Sequence, residues 1–305
     1  MSKFGSPVGW ERLDFGASAI ASQITASADN PWLTFGIMNG IKEEELLREW
    51  DNVLDVQTRI LGEREVAWLR ANGFGADGAG VLEVGGANGM YGSFLAGAFP
   101  DSRLFGLEAN RHIAERCRTD VLNYSMDVCK VGQEDLPARV HGAFSQCILR
   151  FTLQHVSDPL KVLSTLYESL PPGGRVFIIE EDLGYWTMHP DWRPFGVFVD
   201  ALRRLYATGG SDSEMGSKLP RLVSAAGFRI DAFDISLRNN AEMGESFLDL
   251  LGSIIRMFGK TDPEVVSEAD VAAVIDGFAD ARDDHHERFL ATYPQFLLAA
   301  TKPGA

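Results

Sequence analysis

Apolar positions along the first third of the chain fall into two regimes. Over residues 42–71, Leu46, Leu47, Trp50, Val53, Leu54, Val56, Ile60, Leu61, Val66 and Leu69 recur at roughly helical spacing, and Gly73 and Gly75 close the run. The spacing predicts a long helix, broken near Gly62. Downstream, short runs with few polar positions replace this rhythm: VLEV at 81–84, RLFGL at 103–107, a weaker NYSM at 123–126, AFSQCIL at 143–149 and RVFII at 175–179. Helical stretches at 91–98, 112–119 and 159–170 separate them, and a Pro-Pro-Gly-Gly turn at 171–174 leads into the last run. Strands apolar on both faces that alternate with helices predict a parallel sheet covered on both sides, so the core is α/β.

Beyond Glu181 the pattern loosens. Residues 182–195, rich in Trp, Pro and His, read as a loop and 198–206 as a helix. Residues 218–230 read as helix, glycine stop and strand. A helical stretch over about 241–291 precedes a final strand at 295–301, and residues 1–40 read as short helices. This predicts an N-terminal helical lid segment at 1–75 and a core at 76–305, with cap insertions around 185–215 and 238–291. A cap in that place covers the strand ends where open α/β sheets bind ligands.

Composition narrows the class of ligand. The 305 residues are 45% hydrophobic and 23% charged, ordinary globular usage, and the formal net charge is −15. That acidity argues against non-specific nucleic-acid or anionic-membrane binding, which needs excess Lys and Arg, and leaves a small molecule as the expected partner. Cys117, Cys129 and Cys147 are too scattered for a disulfide framework or a zinc site and suit a reducing cytoplasm. No run of about 18 apolar residues suggests a membrane span.

The richest stretch is VLEVGGANG at 81–89, a strand that turns through glycines into a helix. Such a turn admits close approach of a nucleotide-like ligand to backbone N–H groups. The dinucleotide pattern G-x-G-x-x-G fails in both registers: from Gly85 the required glycines are Ala87 and Met90, and from Gly86 they are Asn88 and Tyr91. The pattern present has an acid, Glu83, two residues before the first glycine. A carboxylate there would repel a pyrophosphate but suits a cationic ligand, and S-adenosylmethionine carries both an ammonium and a sulfonium. Glu108, ending the next strand, could accept both ribose hydroxyls of either NAD or S-adenosylmethionine. The stretch VGQEDLP at 131–137 could read an adenine edge.

Together with ILRFTLQH at 148–155 and LPPGGRVFIIEE at 170–181, these motifs resemble the class I S-adenosylmethionine-dependent methyltransferases, especially the small-molecule group of quinone-biosynthesis and natural-product enzymes. The resemblance is best over residues 45–185. It implies a Rossmann-like seven-stranded sheet with an antiparallel last strand, and S-adenosyl-L-methionine as cofactor. Gly85 and Gly86, with Gly89 completing the turn, would line the methionine moiety. Glu108 and Ala109 would take the ribose, Gln133 and Glu134 would flank the adenine, and Leu149 and Arg150 would close the pocket. Two departures stand out: Ala87 replaces the family's usual middle glycine, and Gly132 replaces the acid that often opens the adenine motif.

Methyl transfer is an in-line displacement in which positioning supplies much of the rate, and a base is needed only for an acidic acceptor. The candidates lie in the cap: Tyr185, His189 and His285, near Trp186, Trp192 and His286. Against them stand blander readings, a packed aromatic loop at 182–195 and a solvated face in RDDHHER at 282–288. His155 reads as a residue at the start of a helix. Aromatic and aliphatic material at 30–35, 182–186 and 246–258 predicts an apolar pocket for a hydrophobic or aromatic acceptor; the same faces suit a homodimer interface. Two rivals share parts of this reading, a cyclase or isomerase using the bound cofactor without methyl transfer, and an NAD-dependent oxidoreductase.

Overall fold

The structure is a computed structural model and describes residues 43–117, 123–138, 140, 142–261 and 267–304. The short helices expected within 1–40, with the aromatic segment at 30–35, lie outside the described residues. Helix α1 (Glu43–Ala71) runs 29 residues without the expected break at Gly62. A glycine inside a helix costs about 1 kcal/mol relative to alanine. Here the missing side chain makes room for Phe94, whose ring would lie 2.6 Å from an added Cβ.

The sheet begins with β1 (Gly80–Val84), α2 (Met90–Ala98), β2 (Arg103–Glu108), the one-turn α3 (Arg111–Ala114) and β3 (Tyr124–Val128). It continues through β4 (Gln146–Arg150), α4 (Pro159–Ser169) and β5 (Arg175–Glu180). These five strands are parallel in the order β3-β2-β1-β4-β5. A two-residue strand, β6 (Met188–His189), then precedes α5 (Arg193–Thr208) and α6 (Met215–Ala225). Strand β7 (Arg229–Asn239) is followed by α7 (Asn240–Met243), α8 (Glu245–Thr261), α9 (Glu268–Asp280) and α10 (His285–Arg288). The chain returns as β8 (Leu290–Thr301), which runs antiparallel between β5 and β7. The predicted seven strands and antiparallel last strand are thus present. The eighth, β6, falls in the stretch read as a loop, because two residues paired with Leu290 and Ala291 leave no period to detect.

Period-two alternation sorts each strand between two helical layers. Leu82 and Val84 of β1, Cys147 and Leu149 of β4, and Val176 and Ile178 of β5 pack under α4 and α6. Val81, Ile148 and Phe177 point the other way, under α2 and the end of α1. Glu83 and Arg150 share that second face by register. A separate apolar cluster joins the middle of α1 to α5, α8 and α9, and forms the cap. Among the described residues, no helix is long and apolar enough to cross a membrane.

Candidate functional site

The glycine turn leaves β1 at Val84. Gly85 takes φ 76°, and a Cβ there would lie 2.5 Å from Thr152, so this position accepts only glycine without rearrangement. The Gly85 and Gly86 N–H groups donate to the Leu107 carbonyl, tying the turn to β2. Ala87, at the substituted middle position, also has positive φ, 48°. Its N–H donates to Glu108 Oε2 at 2.9 Å, while Asn110 N–H donates to Oε1 at 2.8 Å. Two backbone donors therefore fix the Glu108 carboxylate at the end of β2.

Glu83 is 3% exposed and faces the α2 layer, where Tyr124 donates its hydroxyl to Oε2 at 2.5 Å. Gly92 on α2 creates this space, since any Cβ would collide with both Glu83 and Tyr124. Burial pushes the Glu83 carboxyl up to about 7, a rise opposed by the Tyr124 hydrogen bond and the Arg150 charge. Arg150 lies on the same face and is also buried. Its Nε donates to Glu65 of α1 at 2.9 Å, and its guanidinium stacks over Tyr91 and Phe151 at 4.2 and 4.7 Å. Gln295 of β8 donates to the other Glu65 oxygen at 2.7 Å. Phe151, immediately after β4, has φ 50°, a conformation disfavoured for a bulky side chain.

These groups open onto one cavity of about 540 Å³. Its core half is walled by the glycine turn, Glu108 and Ala109, Lys130 to Gln133, and Phe151 to Thr152. Its cap half is mostly apolar, with Trp50, Val53 and Leu54 beside the polar Gln57 and Thr58 from α1, and Ile254, Met257 and Phe258 from α8. Asp51 of α1 reaches across to Asn88 of the turn (2.7 Å) and to Arg116 (2.5 Å), holding α1 over the site.

Where the halves meet stand Gln154, His155, Glu181 and Tyr206. His155 stacks on Tyr206 with ring centroids 5.7 Å apart, and loss of water around its ring pushes its pKa down to about 4, so it is neutral. Glu181 is 7% exposed. Its Oε1 accepts from Gln154 at 3.3 Å, with a long contact of 3.5 Å to the Tyr206 hydroxyl. Its Oε2 is buried without a partner at hydrogen-bond geometry among the described residues, and the Tyr293 hydroxyl, likewise buried, stands beside the carboxyl. Burial pushes this carboxyl up to about 7. The neighbouring Glu180 points to the opposite face, where Oε1 accepts from the Thr152 and Leu153 N–H groups.

The structure thus gathers Glu83, Gly85, Gly86, Glu108, Ala109, Gln133 and Arg150 around one cavity. Gly89, Glu134 and Leu149 do not line it. Gly89 starts α2 with φ 77°, and Glu134 turns its carboxylate back to the Lys130 N–H. Leu149 alternates away from Arg150 into the layer under α4. Tyr185 is 42% exposed with its ring edge-on to Phe296, and His189 is exposed on β6, so neither lines the cavity. The side chain of His285, like that of His286, lies outside the described residues. The sequence reading did not single out Glu181, Gln154, Trp50 or Tyr206, and it took His155 for a structural residue. The adjacent acids closing an apolar strand at 180–181 were the signal available.

Sequence and fold comparisons bear on the core that carries this cavity. Residues 82–176 match a family described as a methyltransferase domain. Match and strand order together show a methyltransferase fold, with the matched stretch running from β1 to the start of β5. An uncharacterized 37.1 kDa protein in a transposon of Streptomyces fradiae is 24% identical over 155 residues, half of this chain and 44% of that protein. The chain thus spans less than half the length of the curated relative it matches. Among solved structures, a Haemonchus contortus phosphoethanolamine N-methyltransferase has a TM-score of 0.53 at 17% identity, covering 82% of this chain and 57% of that one. The YcgJ protein of Bacillus subtilis scores 0.50 at 15% identity, covering 80% of this chain and all of that one. At such identities these likenesses concern the fold.

Proposed function

We propose that this chain is an S-adenosylmethionine-dependent methyltransferase acting on O, N or C of a small, hydrophobic or aromatic metabolite, of the kind made in natural-product biosynthesis. The observation that carries the reading is the Glu108 carboxylate, fixed by the Ala87 and Asn110 N–H groups at the edge of a cavity that continues into an apolar chamber. The residues present fit the cofactor. Glu108 would accept the ribose hydroxyls, the bare backbone at Gly85 and Gly86 would admit the methionine moiety, and the cavity wall at Val131 to Gln133 would meet the adenine. Glu83, ionised on binding, would favour the cationic end. The Haemonchus enzyme, solved with S-adenosylhomocysteine and phosphomonomethylethanolamine, supports the cofactor assignment by analogy of fold.

The chemistry that S-adenosylmethionine supplies when bound is an electrophilic methyl group. The chain's own part is to orient it, exclude water with α1 and α8, and present the acceptor in line. Glu108→Ala should weaken S-adenosylmethionine binding, read by calorimetry, about tenfold or more while preserving the circular dichroism spectrum. Unchanged affinity would sink the ribose assignment. Release of S-adenosylhomocysteine during turnover separates methyl transfer from a cyclase or isomerase that holds the cofactor unchanged.

A further inference from the structure

The cap half of the cavity is mostly apolar, with Gln57 and Thr58 of α1 as polar exceptions on one wall and a further polar cluster at one end. There, Glu181 from the segment after β5 and Tyr206 from α5 converge with Gln154, from the turn after β4. Three observations point to a ligand at this place. Gln154 Oε1 is buried without a partner among the described residues, and Glu181 Oε2 has none at hydrogen-bond geometry, with the Tyr293 hydroxyl standing beside the carboxyl; such acceptors are costly unless something donates to them. Both residues border the cavity rather than the sealed core. The walls beside them are flat aromatic surfaces, Trp50, Tyr206 and Phe258, with Met257 as a deformable filler.

We infer that this end of the cavity is the acceptor site, and that it takes an apolar ring system bearing a hydroxyl group that donates its hydrogen bond to Glu181. The inference rests on the methyltransferase reading above and names the acceptor's chemistry. A hydroxyl fits better than an ammonium for a structural reason. The groups gathered around Glu181, namely Gln154, His155, Tyr206 and Tyr293, are uncharged hydrogen-bonding side chains, and the walls beside them are apolar, which suits a neutral ring carrying one donor. The aromatic walls then stack the ring, and the carboxyl at their end fixes which edge of it faces the cofactor half.

The test uses the full chain saturated with S-adenosylhomocysteine and three probes: 2-naphthol, 2-methoxynaphthalene and 2-naphthylmethylammonium. Wild type should bind 2-naphthol at least about tenfold more tightly than the methyl ether, the loss expected for one hydrogen bond to a carboxylate. Glu181→Leu, close in volume and without the carboxyl, should bring the two affinities together while leaving S-adenosylhomocysteine binding within about twofold. Met257→Trp should block both neutral probes and spare S-adenosylhomocysteine. Equal affinities for naphthol and its ether in wild type overturn the inference, as does failure of either neutral probe to bind a protein that still takes S-adenosylhomocysteine. Preference for the ammonium probe replaces the hydroxyl site with a cation site. Loss of S-adenosylhomocysteine binding in wild type itself would refute the cofactor reading first, a distinguishable failure.

Discussion

At the scale of single residues, the site is built from positions that break the rules of their neighbours. Ala87 holds a positive φ where glycine is at ease, a strain of about 1–2 kcal/mol for a residue with a Cβ. Part of that returns as the lower folding entropy cost of alanine, so Ala87→Gly should stabilise by up to about 1 kcal/mol in urea unfolding. Destabilisation would show that the Ala87 methyl packs productively. Glu83 makes a second case. Its carboxyl, raised to about 7, must lose its proton to favour a cation, so affinity for S-adenosylhomocysteine should rise between pH 6 and pH 8. Glu83→Gln should flatten that rise. Both positions were visible in the sequence because each is an exception within a strong local pattern, an acid in an apolar strand and an alanine among glycines. Leu149 was misplaced for a different reason: motif resemblance carries no face, and only the register of β4 assigns it to the layer away from Arg150.

At the scale of elements, one carboxylate joins three of them. Glu65 of α1 takes hydrogen bonds from Arg150 at the end of β4 and from Gln295 of β8, all three buried. Breaking a buried pair from one side leaves an uncompensated charge, so Glu65→Ala should cost about 3–5 kcal/mol in chemical denaturation. A cost below about 1 kcal/mol would mean that water reaches the guanidinium. The α1 periodicity was legible, yet its polar positions Gln57, Thr58 and Glu65 were not recognisable as buried, since they sit on a face whose partner lies far along the chain. The cap was legible as helical. Its chemistry was not, because Trp- and His-rich segments drew attention to Tyr185 and His189, while the residues lining the cavity are common types on regular helices. Long-range convergence, Trp50 with His155 and Tyr206, leaves no trace in local spacing.

At the scale of the whole molecule, three buried carboxyls govern the response to pH. Burial pushes Glu83 and Glu181 up to about 7 and Glu180 up to about 8, from an ordinary value of 4.5. Between about 4.5 and 8 the folded state therefore binds more protons than the unfolded chain, so stability falls as pH rises through that window. Without ligand, the thermal midpoint should be lower at pH 8 than at pH 6, and the double variant Glu180→Gln, Glu181→Gln should lessen the difference. A midpoint that climbs over the same interval would contradict the burial of these groups.

The anchoring of Arg150 by a helix that lies ahead of the first strand also bears on how this protein can be taken apart. The recognisable stretch, 82–176, spans β1 to the start of β5 and contains a guanidinium whose counter-charge is Glu65, together with a glutamine, Gln146, that bonds Gly73 and Gly75. Expressed by itself it would lose the α1 part of the cover on one side of its sheet, keeping only α2 there, and would strand a buried cation. The smallest portable unit is consequently larger than the part that sequence comparison recognises. Grafting this site into another scaffold would require transplanting α1 and β8 along with it.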